Sequence, residues 1–311
     1  MGSRAFPPPA DAPGPPPALS VVIVNWNAGA ALAGCLDSLA RHPPSVPHEI
    51  VVVDNGSSDG SAQAAVAAHP RVRLIANGTN RGLPAANNQG IIATTAPALL
   101  ISNPDVVYRP GAVDALLEAS RRHPRAAIVV PRLRYQDGTV QTSVGDLPTL
   151  ADALAGRQAQ RRRAAAQEPG EPGAAATSGF WWDGWAHDEE RQVGRGHEAA
   201  YLVDRRAVAE VGLQDERYFL DWEGIDWTER MGRAGWEVWF TPDAEVVHLG
   251  GVSIRQVPFR WIVRSHRGIY RYFATRHPWW RPWLAPLLTV RAGAKLAAAA
   301  LTDVYERGHR A

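Results

Sequence analysis

Only one cysteine, Cys35, and one lysine, Lys295, occur among the 311 residues. A single thiol excludes an intrachain disulfide. Cys35 falls on a helix-like apolar stripe with Leu32, Leu36 and Leu39, so it reads as a small core residue rather than a nucleophile. With lysine nearly absent, arginine carries the positive charge, and its planar fork suits phosphate. The formal net charge is only +2, which gives no footprint for nucleic acid. No run of about 18 uncharged apolar residues is present, so no clear transmembrane helix is predicted. Met1 to Pro17 is proline-rich and lacks the apolar segment of a signal peptide. Residues 1–18 therefore read as a disordered tail, and a cytoplasmic location is the default expectation. The glycine-bearing stretch Asn80 to Gly90 matches neither GxGxxG nor GxxxxGKS/T, so a dinucleotide or ATP site of those kinds is unsupported.

What is present is a globular composition, 45% hydrophobic and 21% charged, with length for one large α/β domain and an appendage. Ser20 to Asn25 is a β-branched apolar run of the kind that forms a buried parallel strand. Ala28 to Arg41 has helical spacing, and Glu49 to Val53 gives a second strand ending at Asp54. The polar cluster Asp54 to Gly60 must be a loop, in which Ser58 or Asp59 can cap the next helix. Arg71 to Ile75 is a third strand, Leu83 to Ile92 a helix, and Ala98 to Ile101 a fourth strand leading to Asn103-Pro104-Asp105. Strands alternating with helices at this spacing predict a doubly wound, mostly parallel sheet. Ligands of such sheets collect at the carboxyl ends of the strands, where Asn25, Asp54 and Asp105 fall.

Further strands are expected at 126–130, 197–203, 236–240 and 245–248, with helices at 206–211 and 226–234. Residues 155–180 read as a mobile, solvated insertion, with an acceptor-gating lid as the alternative.

Each candidate site residue has a structural alternative. Asp105, at a strand end beside a proline, can bind Mg²⁺ or Mn²⁺ and through it a diphosphate, or it can simply complete a turn. Asp54 can accept hydrogen bonds from a nucleobase or ribose, or serve turn and capping chemistry. In Asn80 to Gly90, Arg81 can pair with phosphate, Gly82 permits close backbone approach, and Asn87 and Asn88 are costly in a helix unless their amides are used. Glu223 and Asp226 share a helix face, as a general base and its neighbour or as charges complementing the helix dipole. His248 ends a strand, as a metal ligand or a structural imidazole.

Taken in order, VVIVNWN (21–27), VVVDNGSSDGS (51–61), NRGLPAANNQG (80–90), ISNPDV (101–106), DERYFLDWEGIDWTERMGRAGWEV (215–238) and VVHLGG (246–251) resemble family 2 glycosyltransferases of the GT-A fold, in their rhamnosyltransferase-like branch. The resemblance implies a single Rossmann-like nucleotide-binding domain over about 19–255 and a nucleotide-sugar donor. Val24, Asn25, Trp26 and Asp54 would hold the base and ribose, and Arg81, Gly82 and Asn87 would belong to the donor pocket. Asn103 and Asp105 would stand at the family's DxD position, with Asp105 and His248 binding Mg²⁺ or Mn²⁺. Many relatives carry a second acid in the acidic motif as the usual base, and that position here is Gly224. Glu223, then Asp226, are the replacements expected, with a base from elsewhere in the chain as the alternative.

The implied reaction is inverting transfer, with rhamnose from dTDP-rhamnose as the preferred donor. The acceptor would be a glycan or a polyprenyl-diphosphate-linked sugar in bacterial cell-surface polysaccharide synthesis. UDP-galactofuranose and UDP-N-acetylhexosamine are rival donors. Gly224 also raises a non-catalytic nucleotide-sugar-binding protein as a rival. Residues 256–311 read as a helical appendage in which tryptophan and arginine suit the inner membrane interface; packing on the domain or on a second subunit is the alternative.

Overall fold

The computed structural model describes residues 15–155, 179–250 and 258–308. Most of the expected disordered tail and most of the expected mobile insertion lie outside the described residues.

Strand β1 (Leu19–Asn25) is buried along its whole length, because helices cover both faces of the sheet. Helices α1 (Ala30–Arg41), α2 (Ser61–Ala68) and α4 (Ala112–Arg122) bury Leu32, Leu36, Ala62, Val113 and Leu116 against Leu19, Val21 and Ile23 on one face. Helix α3 (Leu83–Ile92) covers the other, placing Ala86 against Val24, Val51 and Val53. Cys35 is fully buried in the first of these layers, and burial pushes its thiol up to about 12, as befits a packing residue.

Around β1, strands β2 (His48–Asp54), β3 (Val72–Ala76) and β4 (Ala98–Ser102) run parallel in the order β3-β2-β1-β4. After the short β5 (Val106–Tyr108), β6 (Ala126–Arg134) continues the sheet, followed in sequence by β7 (Val140–Gln141), β8 (Val144–Gly145), α5 (Leu150–Ala155), β9 (Arg191–Val193) and β10 (Arg195–Gly196). Strand β11 (Ala200–Asp204) inserts antiparallel between β4 and β6, and β12 (Glu237–His248) pairs parallel with β6 and antiparallel with β5. Helices α6 (Arg205–Val211) and α7 (Glu223–Arg233) lie between β11 and β12.

The mostly parallel α/β architecture expected from the sequence is present. Two local expectations change. The two short strands at 236–240 and 245–248 are one strand, β12, whose register against β6 shifts between Thr241 and Glu245. That irregularity interrupts the apolar pattern and disguises its continuity. The strand expected at 197–203 starts at Ala200, and His197 to Ala199 form a turn at the functional edge. At α2, Gly60 holds the N-cap position, while Asp59 Oδ1 accepts from the Ser61 N–H at 3.0 Å.

The appendage is helical: α8 (Pro258–Arg276), a 3₁₀ turn (Pro278–Trp280) and α9 (Arg281–Gly308). It packs on the loop before α7. The Trp222 ring lies 5.3 Å from Tyr272 and 5.9 Å from Phe273, and Leu284 and Leu288 join the same buried cluster. Residues Pro278–Leu301 are long and apolar enough to cross a membrane by length and composition alone, with mean hydropathy 1.4. Arg281, Arg291 and Lys295 fall within it, so the segment contains no uncharged apolar run of about 18 residues.

Candidate active site

The carboxyl ends of β1 and β2 are tied side chain to side chain. Asn25 Nδ2 donates to Asp54 Oδ1 at 3.0 Å and to Ser57 and Ser61 Oγ at 3.1 Å. Asp54 is 3% exposed and also accepts from the Ser57 hydroxyl, so it braces the loop after β2 from within. Val24 points into the core, and Trp26 is half-buried beyond it. Asn55 extends the brace: its Oδ1 accepts from the Arg81 N–H at 3.0 Å and its Nδ2 donates to the Gly82 carbonyl at 3.1 Å. The Arg81 side chain is left exposed. Sequence reasoning missed Asn55, although its place right after Asp54 in a strand-end loop is a usable signal.

Gly82 has φ +91°, and a β-carbon there would come within 2.8 Å of the Phe219 carbonyl, which accepts from the Leu83 N–H at 2.8 Å. Only glycine fits this crossing, which draws the loop before α7 onto the loop before α3. Asn87 and Asn88 do use their amides, but on protein: Asn87 Nδ2 donates to Gln214 Oε1 at 3.0 Å, and Asn88 pairs with the Gln214 backbone and Glu216. Both are buried, so these asparagines tie α3 to the segment after α6.

Asp105 and His248, 143 positions apart, meet because β5 pairs with the end of β12, placing His248 opposite Val106. His248 Nε2 lies 3.6 Å from Asp105 Oδ1, and both side chains are buried. His248 Nδ1 sits 3.1 Å from Gln141 Oε1, which can accept its N–H and leaves Nε2 turned toward the carboxylate. A carboxylate oxygen and an imidazole nitrogen facing one another suit a divalent ion, which would complete its shell with phosphate oxygens and water. Among the described residues no group of three or more potential ligand side chains is found. Asn103 is half-buried at the same edge, its N–H donating to the Ala199 carbonyl at 2.7 Å.

Beside this pair lies a corner rich in carboxylates. Asp221 and Trp222 both have positive φ, +66° and +74°, strain of the kind that collects at functional loops. Glu223, first residue of α7, is 1% exposed, and its Oε2 has no hydrogen-bond partner. Burial holds its carboxyl well above the usual range, and the Glu198 and Asp221 carboxylates add to the effect. Burial likewise lifts Asp221 to about 6. Glu198 is pushed up to about 7 by burial and by Asp221, against the opposing pull of Arg195 and the Gly224 N–H. Asp226 is differently placed: its Oδ2 accepts from Arg230 Nε at 2.9 Å and its Oδ1 from Arg276 Nη2 at 3.0 Å, locking α7 to the end of α8. Glu198 was absent from the sequence expectations.

The match to known proteins decides the family. The model of Glycosyl transferase family 2 covers residues 20–180. An N-acetylglucosaminyl-diphospho-decaprenol L-rhamnosyltransferase of Mycobacterium tuberculosis is 35% identical over 290 residues, 86% of this chain and 87% of that protein. The chain belongs to glycosyltransferase family 2. The GT-A fold agrees, since a mannosyltransferase from Pyrobaculum calidifontis in complex with GDP-Man and Mn²⁺ superposes with a TM-score of 0.52 at 17% identity, covering 100% of this chain and 83% of that one. The succinoglycan biosynthesis protein ExoU of Rhizobium meliloti is 31% identical over 105 residues, 33% of this chain and 30% of that protein. This chain is therefore a nucleotide-sugar-dependent glycosyltransferase.

Two expectations follow from the carboxylates. Asp226→Asn breaks a pair whose side chains are 11% and 10% exposed. It should lower the unfolding free energy by about 3–5 kcal/mol while leaving turnover of the folded enzyme within about tenfold, measured by denaturant titration and single-turnover assay. The raised groups give a pH signature. The folded state keeps their protons above the pH at which the unfolded chain releases them. Their contribution is fully present below the ordinary carboxylate range, and it is lost as pH rises from about 4.5 toward about 7. Glu223→Gln should therefore lose less stability than the wild type between pH 5 and 8 in parallel denaturant titrations.

Proposed function

We propose that this chain is an inverting transferase that moves rhamnose from dTDP-rhamnose to a polyprenyl-diphosphate-linked glycan. The observation that carries the reading is the Asp105–His248 pair, a carboxylate oxygen and an imidazole nitrogen 3.6 Å apart at the carboxyl edge of the sheet. The likeness to a decaprenol-linked rhamnosyltransferase over most of both chains supports the choice of sugar and acceptor.

In this reading Asn25, Trp26 and Asp54 form the floor for base and ribose. Arg81, exposed at the mouth of the loop before α3, reaches the diphosphate. Asp105 and His248 hold Mg²⁺ or Mn²⁺, which when bound neutralises the leaving diphosphate as a Lewis acid. The Mn²⁺ in the complex of the Pyrobaculum mannosyltransferase supports a divalent ion. A carboxylate from the corner at the start of α7 removes the acceptor proton as the hydroxyl attacks.

A thermal-shift screen of nucleotide sugars with and without Mn²⁺ tests this directly, because a ligand that binds only the folded state raises its stability. The largest shift is expected for dTDP-rhamnose with Mn²⁺, and Asp105→Asn should abolish the metal-dependent part. A shift confined to UDP-sugars moves the assignment to a galactofuranose or N-acetylhexosamine donor, and binding without transfer favours the non-catalytic alternative.

The appendage supports a site of action at the inner membrane face. On α9, Leu284 and Leu288 face the protein, while Trp283, Leu287 and Val290 are exposed at 41%, 41% and 73%, on one stripe at spacings of four and three. Trp279, 71% exposed, precedes them among arginines. The triple substitution Trp283→Ser, Leu287→Ser and Val290→Ser should reduce flotation with anionic liposomes about tenfold or more. Flotation equal to the wild type would remove the membrane contact from this reading.

A further inference from the structure

Gly224 stands where the resemblance to the family leads one to expect an acid, and the space beside it is already filled. A β-carbon on Gly224 would lie 2.0 Å from Cδ of Glu198, and 2.1 and 2.4 Å from its two carboxylate oxygens. The Gly224 N–H donates to that same carboxylate. The remaining cavity between Glu198, Tyr201, Gly224, Trp227 and Thr228 measures about 10 Å³, room for one water at most. The glycine leaves no void; it admits a carboxyl group delivered by another part of the chain.

The neighbouring carboxylates are either enclosed or already paired. Glu223 is 1% exposed and out of reach of an acceptor. Asp226 is held by Arg230 and Arg276, and Asp221 takes a hydrogen bond from Ser265 of α8. Glu198 is only half-buried. Its sequence neighbours fasten it to the Asp105–His248 pair from both sides. The His197 ring lies 5.1 Å from that of His248, and the Ala199 carbonyl accepts from the N–H of Asn103. The unpartnered Oε2 of Glu223 lies in the same cluster, so the corner has unused capacity for a proton.

We propose that Glu198 is the general base of this transferase, standing in for the acid that position 224 lacks. As the acceptor oxygen forms its bond to the anomeric carbon, its O–H bond breaks and the proton passes to the Glu198 carboxylate. The bond from the anomeric carbon to the diphosphate oxygen breaks in the same step, and that oxygen keeps the electron pair. A carboxyl poised near neutrality accepts the proton in one turnover and releases it before the next. This assignment rests on the glycosyl-transfer reading above.

The test is a carboxylate exchange in the full-length enzyme, with transfer measured alongside the donor-induced thermal shift. Glu198→Gln should lower turnover by about 10²–10⁴-fold with the thermal shift unchanged. Glu198→Gly should do the same. Adding Gly224→Asp to Glu198→Gly returns an acid to the vacated space, in the first turn of a helix that favours it, and should recover turnover to within about tenfold of the wild type. Gly224→Asp alone is the clash control and should lose stability. Turnover of Glu198→Gln less than a hundredfold below the wild type overturns the assignment. So does a double variant that folds and binds donor yet is no faster than Glu198→Gly. Absence of transfer by the wild type from every nucleotide sugar sinks the glycosyl-transfer reading itself, an outcome separate from either of these.

Discussion

The meeting of Asp105 with His248 is the contact on which the rest of the site depends. One residue follows the fourth strand and the other ends the twelfth, and only the β5–β12 pairing brings their side chains to 3.6 Å. Gln141 orients the imidazole through Nδ1, so Nε2 faces the carboxylate rather than the core. A parallel sheet gathers its loops at one edge; here the insertion of antiparallel β11 between β4 and β6 adds the turn that carries His197 and Glu198 to that edge.

Around this contact the chain spends polar side chains on bracing. Asn25 and Asp54 lock two strand ends, Asn55 holds the backbone of Arg81 and Gly82, and Asn87 with Asn88 anchors α3 to Gln214. Such buried networks hold loops in one arrangement, at the cost that every member must be satisfied. The appendage contributes on the far side: Arg276 ties α8 to Asp226 and Glu229, and Tyr272 and Phe273 pack on Trp222. The positive-φ pair Asp221 and Trp222 is thus held by the same helices whose outer face is apolar. A membrane contact through α9 would act close to the carboxylate corner.

Much of this was legible from the chain alone. β1 to β4 declare themselves as β-branched runs ending in polar residues, and α3 is bounded by Gly82 before it and polar residues after it. Asp105 and His248 could be singled out because each ends a buried strand pattern. The roles of Asn87 and Asp226 were harder to read, since a buried amide or carboxylate looks the same in sequence whether it faces ligand or protein; only Gln214 and Arg276, more than 40 positions away, tell them apart. Glu198 was invisible for a related reason. It precedes a strand without any motif of its own, and its meaning lies in the side chain missing from Gly224. A glycine in an acidic motif was the available signal, pointing to a partner that only tertiary structure could name.

The most direct measurement is the position of manganese by anomalous scattering, in crystals grown with Mn²⁺ and dTDP. An ion bonded at about 2.0–2.2 Å to an oxygen of Asp105 and to Nε2 of His248, with diphosphate oxygens completing its shell, is the expected result. An ion held elsewhere, or a diphosphate bound with Asp105 and His248 turned away from it, would contradict the site at its centre.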